Sequence, residues 1–427
     1  MKLAFFGYAW GKALQPDAYM AETIASLAQA GADVDLYLGN ELSKEYGIYG
    51  LNENLRPDRV GAFIAQQGYD AAVSFNNSML IPEVLAALKD RVVTVIVDEP
   101  EHLFDYHRTG PWDAFKRGVE IVAMSSRLEQ RLLEAVPGVR PRLRFRLPAT
   151  QVGAGLRHDP VLPISWVASL VGDMNLDQYT ELVMARSDFR ALTIHCLELI
   201  ARDGDLRSIR AGGGPEAPLI AALPWSFDYF QSQLQNILTN RARVEVVERL
   251  AKHGLALFGN PAWARLLTYN AAVLQALQSG PPPANHGDLT RIYNASKISI
   301  NVPQAHTAVG AVQYRMIDVM ASGALLITRR DKPSDLNRVF GDDCPVPTYD
   351  DLGELERLCA HYLAHEDERR EVVARCNALV GPDYSFAARA RELLDAVRLA
   401  PIAGAAPGRV RRMELSVLAE LGWLAVA

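Results

Sequence analysis

Apolar positions in the first 150 residues come in short unbroken runs, separated by segments in which they recur every three or four positions. Lys2–Phe6, Asp33–Leu38, Asp70–Val73, Val92–Val97 and Ile121–Met124 are such runs and are expected as strands. Unbroken rather than alternating apolar strands between helices predict a parallel sheet covered on both faces. Asp17–Ala30 carries its alanines and leucine on one helical face, with Gly31 as its stop. Ser126 and Glu129 read as a capping box opening a helix over Arg127–Ala135. A Gly-, Pro- and Thr-rich linker then runs from Pro148 to about Pro163.

Beyond the linker the pattern restarts. Ile164–Val171 is a strand closing on Gly172 and Asp173, and a mostly helical stretch follows from Tyr179 to Ala251. Leu255–Phe258 is a strand ending at Gly259, after which Asn260 and Pro261 suit an N-cap and a first helical turn. Gly280–Pro283 breaks the chain before Leu289–Ser296, and Ile298–Val302 is the next strand. Helices are expected over Leu352–Ala364 and Phe386–Leu399, then a flexible spacer, Pro401–Gly408, and a final amphipathic helix, Arg411–Leu421. The pattern predicts an α/β chain of two Rossmann-like, doubly wound domains with a cleft between them. The expected boundaries are 1–155 for the first domain, 156–385 for the second, and 386–427 for terminal helices able to cross back to the first.

Composition narrows the class. A chain of 427 residues suits two to three domains. Its 49% hydrophobic and 22% charged residues are those of a soluble globular enzyme. A formal net charge of -6 argues against a nucleic-acid-binding body. The basic run Arg140–Arg146 reads as a solvated strand edge. None of the four cysteines forms a C-x-x-C pair, so neither a disulfide framework nor a structural zinc site is indicated. Met1–Gly7 lacks the apolar run of a signal peptide, and no window approaches the about 20 apolar residues of a membrane helix. A cytoplasmic protein without an integral membrane segment is expected, and a homodimer stays open.

The chemistry concentrates between Tyr293 and Thr328, where a strand, a small-residue loop with Gly310, a helix bearing Arg315 and Asp318, Gly323 and another strand follow one another. Unpaired amides and the helix dipole favour a phosphate before such a helix. A carboxylate one turn further on can meet a sugar hydroxyl, so the segment suits a nucleotide-sugar. Ligands of doubly wound folds bind beyond the carboxyl ends of the strands, which gives weight to Gly7-Tyr8, Ser74–Asn77, Asp98–His102, Gly172, Gly259 and Gln304–Gly310.

Four segments in order, ISWVASLVG (164–172), GLALFGNPAW (254–263), IYNASKISIN (292–301) and RMIDVMASGALLIT (315–328), resemble the spore-maturation CgeB-like glycosyltransferases. These are relatives of the large group 1 families with the GT-B fold. The resemblance covers roughly residues 160 to 395, and extends more loosely to VIVDEPEHLFD and LPAT in the first half. It implies a hexosyl or related transferase that takes a sugar from a nucleoside-diphosphate donor to a glycan, protein or small-molecule acceptor. Asp318 stands where many group 1 enzymes keep a glutamate that contacts ribose, and is one methylene shorter.

The donor set is therefore Gly172, His306, Thr307, Gly310, Arg315 and Asp318. Arg315 either neutralises diphosphate charge or pairs within its helix with Asp318, a pair worth only about 0.2–0.5 kcal/mol. Thr307 and Gly310 either contact phosphate or form a plain turn, and His306 either meets the donor or is solvated. Asp98, Glu101 and His102, with Glu99 among them, are candidates for a general base on the acceptor hydroxyl; a solvated loop is the alternative. Tyr8 and Trp10 are the acceptor-side candidates. Gly212–Glu216 imitates a phosphate loop and Asp203-Gly204-Asp205 a metal motif; both read as turns, and no cofactor or catalytic metal is expected. A sugar-nucleotide epimerase on the same fold and a catalytically silent glycan- or partner-binding protein are the competing functions.

Overall fold

The structure, a computed structural model, describes residues 1–10, 15–38, 56–89, 91–97, 118–136, 138–151, 160–171, 176–203, 206, 209, 216–223, 227–303 and 310–413. Two parallel sheets organise it. The first is seven-stranded, in the order β14-β4-β1-β5-β6-β7-β8, from β1 (Lys2–Gly7), β4 (Asp33–Leu38), β5 (Ala71–Phe75), β6 (Val92–Ile96), β7 (Glu120–Ala123), β8 (Leu143–Phe145) and β14 (Val410–Arg412). The second is five-stranded, in the order β10-β9-β11-β12-β13, from β9 (Leu162–Val167), β10 (Leu255–Phe258), β11 (Ser296–Asn301), β12 (Leu325–Arg329) and β13 (Thr348–Tyr349). A small antiparallel ribbon joins β2 (Ala9–Trp10) to β3 (Gln15–Pro16).

The expected parallel architecture follows from the apolar runs. β5 and β6 are buried at every position, as strands covered by helices on both faces must be. Each sheet has its own core: Phe5, Val73 and Val95 in the first, Ile164, Trp166 and Ile300 in the second. The helix Ala18–Gln29 starts where expected, because Asp17 accepts from the Met20 N–H at 2.8 Å. Between β9 and β10 the chain inserts helices Leu176–Ala185, Ser187–Asp203, Ala217–Ala221 and Phe227–Leu250. They enclose a separate small core that includes Phe189, Cys196, Phe230 and Leu234.

Three expectations need correction. The helix of the predicted capping box is capped by Ser125, whose Oγ accepts from Leu128 N–H at 3.1 Å. Glu129 instead pairs with Arg338, across from the second sheet, at 2.8 Å. Where a terminal helix over Arg411–Leu421 was expected, Val410–Arg412 is a strand parallel to β4, and residues 414–421 lie outside the described residues. The supposedly flexible spacer before it is docked: Ile402 and Gly408 N–H donate to Ala30 and Ala28 carbonyls. A Cβ at Gly408 would come within 2.0 Å of the Ala32 carbonyl oxygen, so the backbone lies too close there for any side chain. The helix Phe386–Ala396 packs against Ala18–Gln29 and so returns the chain to the first sheet.

Candidate functional site

The carboxyl end of β9 outlasts its sheet partners. Ala168 N–H still reaches Phe258 O at 2.9 Å, but β10 stops there, and buried backbone groups beyond need other partners. Side chains supply them. Trp263 Nε1 donates to Ala168 O at 2.7 Å, and the Arg243 guanidinium donates to Ser169 O. Asn260 clamps Leu170, accepting from its N–H at 3.1 Å and donating to its carbonyl at 2.9 Å. Asn240 does the same to Val171 at 2.8 and 2.9 Å. Gly259 is required beside this clamp, since a Cβ would meet the Trp263 ring at 2.3 Å and Ala168 O at 2.5 Å. Because β9 connects to β10 on one side and neighbours β11 on the other, this fixed end lies at the switch point of the second sheet.

At this point Arg243 feels the charge of Arg315. Arg243 is 1% exposed, and burial together with the Arg315 charge lowers its pKa to about 9. Burial likewise pushes the Arg315 pKa down, opposed by Tyr293 and Asp318. Arg315 forms no hydrogen bond or ion pair among the described residues, and its NH1 is buried without a partner, as is Arg243 Nε. The intrahelix pair between Arg315 and Asp318 is not formed. Two buried like charges without an anion are an unfavourable arrangement on their own.

Asp318 lies on the same helix, Tyr314–Met320, and is 7% exposed. Its Oδ1 accepts from Thr150 Oγ1 at 2.7 Å and lies 3.3 Å from His286 Nε2. Burial raises its pKa to about 7, with Thr150 and Arg315 acting the other way. Burial lowers that of His286 to about 4, so the imidazole is neutral at neutral pH. Beside the helix a cavity of about 340 Å³ is lined by Gly310, Ala311, Met316, Thr328, Asp331 and Asn337, among others.

Gly310 leads into this helix with φ +82°, and a Cβ would fall 1.9 Å from Pro333 O. Its N–H points to Asp331 Oδ2 at 3.3 Å and its carbonyl accepts from Asp335 N–H at 2.9 Å, so its groups are engaged by the neighbouring loop. Tyr8 is 3% exposed and accepts from Asn76 Nδ2 at 3.2 Å. Trp10 lies in β2; its side chain falls outside the described set. Asp98, Glu101, His102, Gly172, His306 and Thr307 also lie outside the described residues, as do Gly204, Asp205 and residues 212–215 of the two imitation motifs. Arg243, Asn240, Thr150 and His286 were not singled out from the sequence. Arg243 did carry a signal: it falls on the buried stripe Thr239, Val246, Val247 and Leu250 of its helix. A charge on that stripe calls for a partner.

Residues 240–395 match a family model described as glycosyl transferase-like. Comparison with curated proteins gives no match. Among solved structures the chain is similar to Anabaena HepE in complex with UDP and glucose, at 10% identity and a TM-score of 0.56, covering 93% of this chain and 99% of that one. It is also similar to WaaG, a glycosyltransferase involved in lipopolysaccharide biosynthesis, at 12% identity and 0.52, covering 92% and 99%. S. aureus TarM aligns at 9% identity and 0.47, over 79% of this chain, which spans 57% of TarM's length. No helix among the described residues is long and apolar enough to cross a membrane. The chain thus has the two-domain GT-B fold of glycosyltransferases and carries a glycosyl transferase-like segment over residues 240–395.

Proposed function

We propose that this protein is a glycosyltransferase of CgeB-like kind, moving a sugar from a nucleoside-diphosphate donor to an acceptor hydroxyl. The observation that carries the reading is the buried pair Arg243 and Arg315 at the switch point of the second sheet, with Arg243 Nε and Arg315 NH1 both lacking a partner. A diphosphate resolves their repulsion, and guanidinium forks match its oxygens. Asp318, whose Oδ2 accepts no hydrogen bond among the described residues, offers that oxygen to the ribose. The neighbouring cavity is large enough for part of the donor. His306, Thr307 and Gly172 remain our candidates for further donor contacts, and Tyr8 and Trp10 for the acceptor side. Asp98, Glu101 and His102 are our candidates for the base.

Transfer would then draw on orientation of donor and acceptor, and on stabilisation of charge on the departing diphosphate by both arginines. Since the two guanidinium groups supply that positive charge, a divalent cation is not required, and EDTA is expected to leave transfer unchanged. HepE was crystallised with UDP and glucose, which makes UDP the first nucleotide to try. Thermal unfolding with UDP, GDP, dTDP, CDP and ADP tests the reading. A nucleotide at about 100 times its Kd adds roughly 2.7 kcal/mol, a shift of several degrees. One nucleotide should stabilise the wild type, and less so Asp318→Ala; no shift with any of them would refute the donor assignment.

A further inference from the structure

We propose that Thr150 and His286 are positioning residues that fix Asp318 for the donor ribose and thereby tie donor recognition to the crossing between the two domains. This rests on the donor reading above. Thr150 is 1% exposed and lies on the segment by which the chain leaves the first sheet. That segment runs beside the returning one: Thr150 N–H donates to Tyr384 O at 2.8 Å, and Thr150 bridges Ser385 in parallel register. Ser385 then caps the helix Phe386–Ala396, accepting from Ala388 N–H at 3.1 Å, and Arg389 of that helix donates to Leu147 O. Outgoing and returning chains are thus fastened together, and Thr150 is the point at which a side chain reaches Asp318.

The same neighbourhood joins the first domain to the Asp318 helix. Tyr19, on Ala18–Gln29, accepts from Ala149 N–H at 3.0 Å and stacks on Tyr314 with centroids 4.1 Å apart and planes at 11°. His286 packs edge-on to Phe386 at 5.3 Å while its Nε2 approaches Asp318 Oδ1. Both polar groups therefore converge on one carboxylate oxygen. An aspartate held at Oδ1 has a single direction left for Oδ2, which compensates for a side chain one methylene shorter than glutamate. Thr150 is β-branched, so its hydroxyl is confined to few rotamers and transmits movement of the backbone. Rotation of the domains about residues 147–150 and 382–386 displaces the hydroxyl, and with it the ribose ligand.

Calorimetric titration of wild type, Thr150→Val, Thr150→Ser and His286→Gln tests this. The probes are inorganic pyrophosphate, and UDP, GDP, CDP and ADP each with its 2′-deoxy counterpart. Wild type should prefer the ribonucleotide. Thr150→Val should lose about tenfold in its affinity for the selected ribonucleotide, about 1.4 kcal/mol, and most of its preference over the deoxy form. Its pyrophosphate affinity should stay within about twofold, since the arginines are untouched, and Thr150→Ser should restore the preference. His286→Gln should weaken the preference in the same direction. The inference is overturned if wild type binds nucleotide without any ribose preference, if Thr150→Val keeps that preference, or if it loses nucleotide and pyrophosphate alike. Wild type that binds neither pyrophosphate nor nucleotide defeats the donor reading itself.

Discussion

Arg315 and Asp318 are three residues apart on one helix and still do not pair, and that separation governs what each can do. Arg315 lies close enough to Arg243 for their charges to act on each other, while Asp318 turns to Thr150 and His286. Burial holds the Asp318 pKa near 7, above the ordinary 3.8, so the folded state binds this proton more tightly than the unfolded chain. The resulting stabilisation is full below about pH 4 and is lost as pH rises through about 7. His286 works oppositely: its depressed value makes stability fall as pH drops from 6.5 towards 4. Comparing Asp318→Asn with wild type cancels the histidine contribution. The stability advantage of the variant should grow between pH 4 and 7 and then level off; a difference independent of pH in equilibrium unfolding would contradict the assignment. The helix that carries Arg315 and Asp318 was legible in the sequence because it follows a glycine-containing loop. Arg243 left only the trace of a charge on a buried stripe, which marks no site until a second guanidinium is found near it.

At the scale of elements, the strands of both sheets could be read because continuous apolar runs have few alternatives between helices. Asp33–Leu38 and Leu255–Phe258 have the predicted bounds. β14 could not be read: Val410–Arg412 is short and basic, and pairing with β4, rather than local propensity, makes it a strand. Caps supplied from a distance are equally invisible. Ser125 caps the helix Ser126–Ala135 locally, but the next amide, Ser126 N–H, donates at 3.0 Å to Asp335 Oδ2 from the other domain. Asp335 is 3% exposed and its pKa is raised by burial, with Ser126 opposing. Asp335→Ala should therefore cost about 1–2 kcal/mol, as loss of an N-cap does. Arg338→Ala, which removes a half-exposed partner of Glu129 and a guanidinium lying 4.5 Å over the Phe145 ring, should cost at most about 1 kcal/mol. Chemical denaturation of the two variants checks the order, and a larger loss in Arg338→Ala would contradict it.

Across the whole molecule, the C-terminal segment makes the two domains one object. After the helix Phe386–Ala396 returns to the first domain, β14 closes that sheet, with Arg411 Nε and NH2 on the two oxygens of Asp35 at 2.9 and 2.8 Å. Tyr69 donates to the same carboxylate at 2.7 Å, and Lys2 Nζ lies 3.7 Å away. Burial acts to raise the Asp35 pKa, but Arg411, Tyr69 and Lys2 outweigh it, and the net shift is downward. Asp35 thus adds stability above its ordinary pKa that disappears as pH falls through the lower folded value. Arg411→Met should lower stability by roughly 1–3 kcal/mol at neutral pH, allowing for screening at the half-exposed guanidinium, and flatten the acid limb of the stability curve. An unchanged curve would show that β14 is held by backbone pairing alone.

The central claim is that Arg243 and Arg315 form a diphosphate site, and titration of inorganic pyrophosphate into wild type and Arg315→Met tests it most directly. Wild type should bind pyrophosphate, and the variant should not. Freed of an unpaired buried charge, Arg315→Met should also unfold at a higher temperature than ligand-free wild type. Equal binding by the two proteins, or no binding by wild type, would contradict the account.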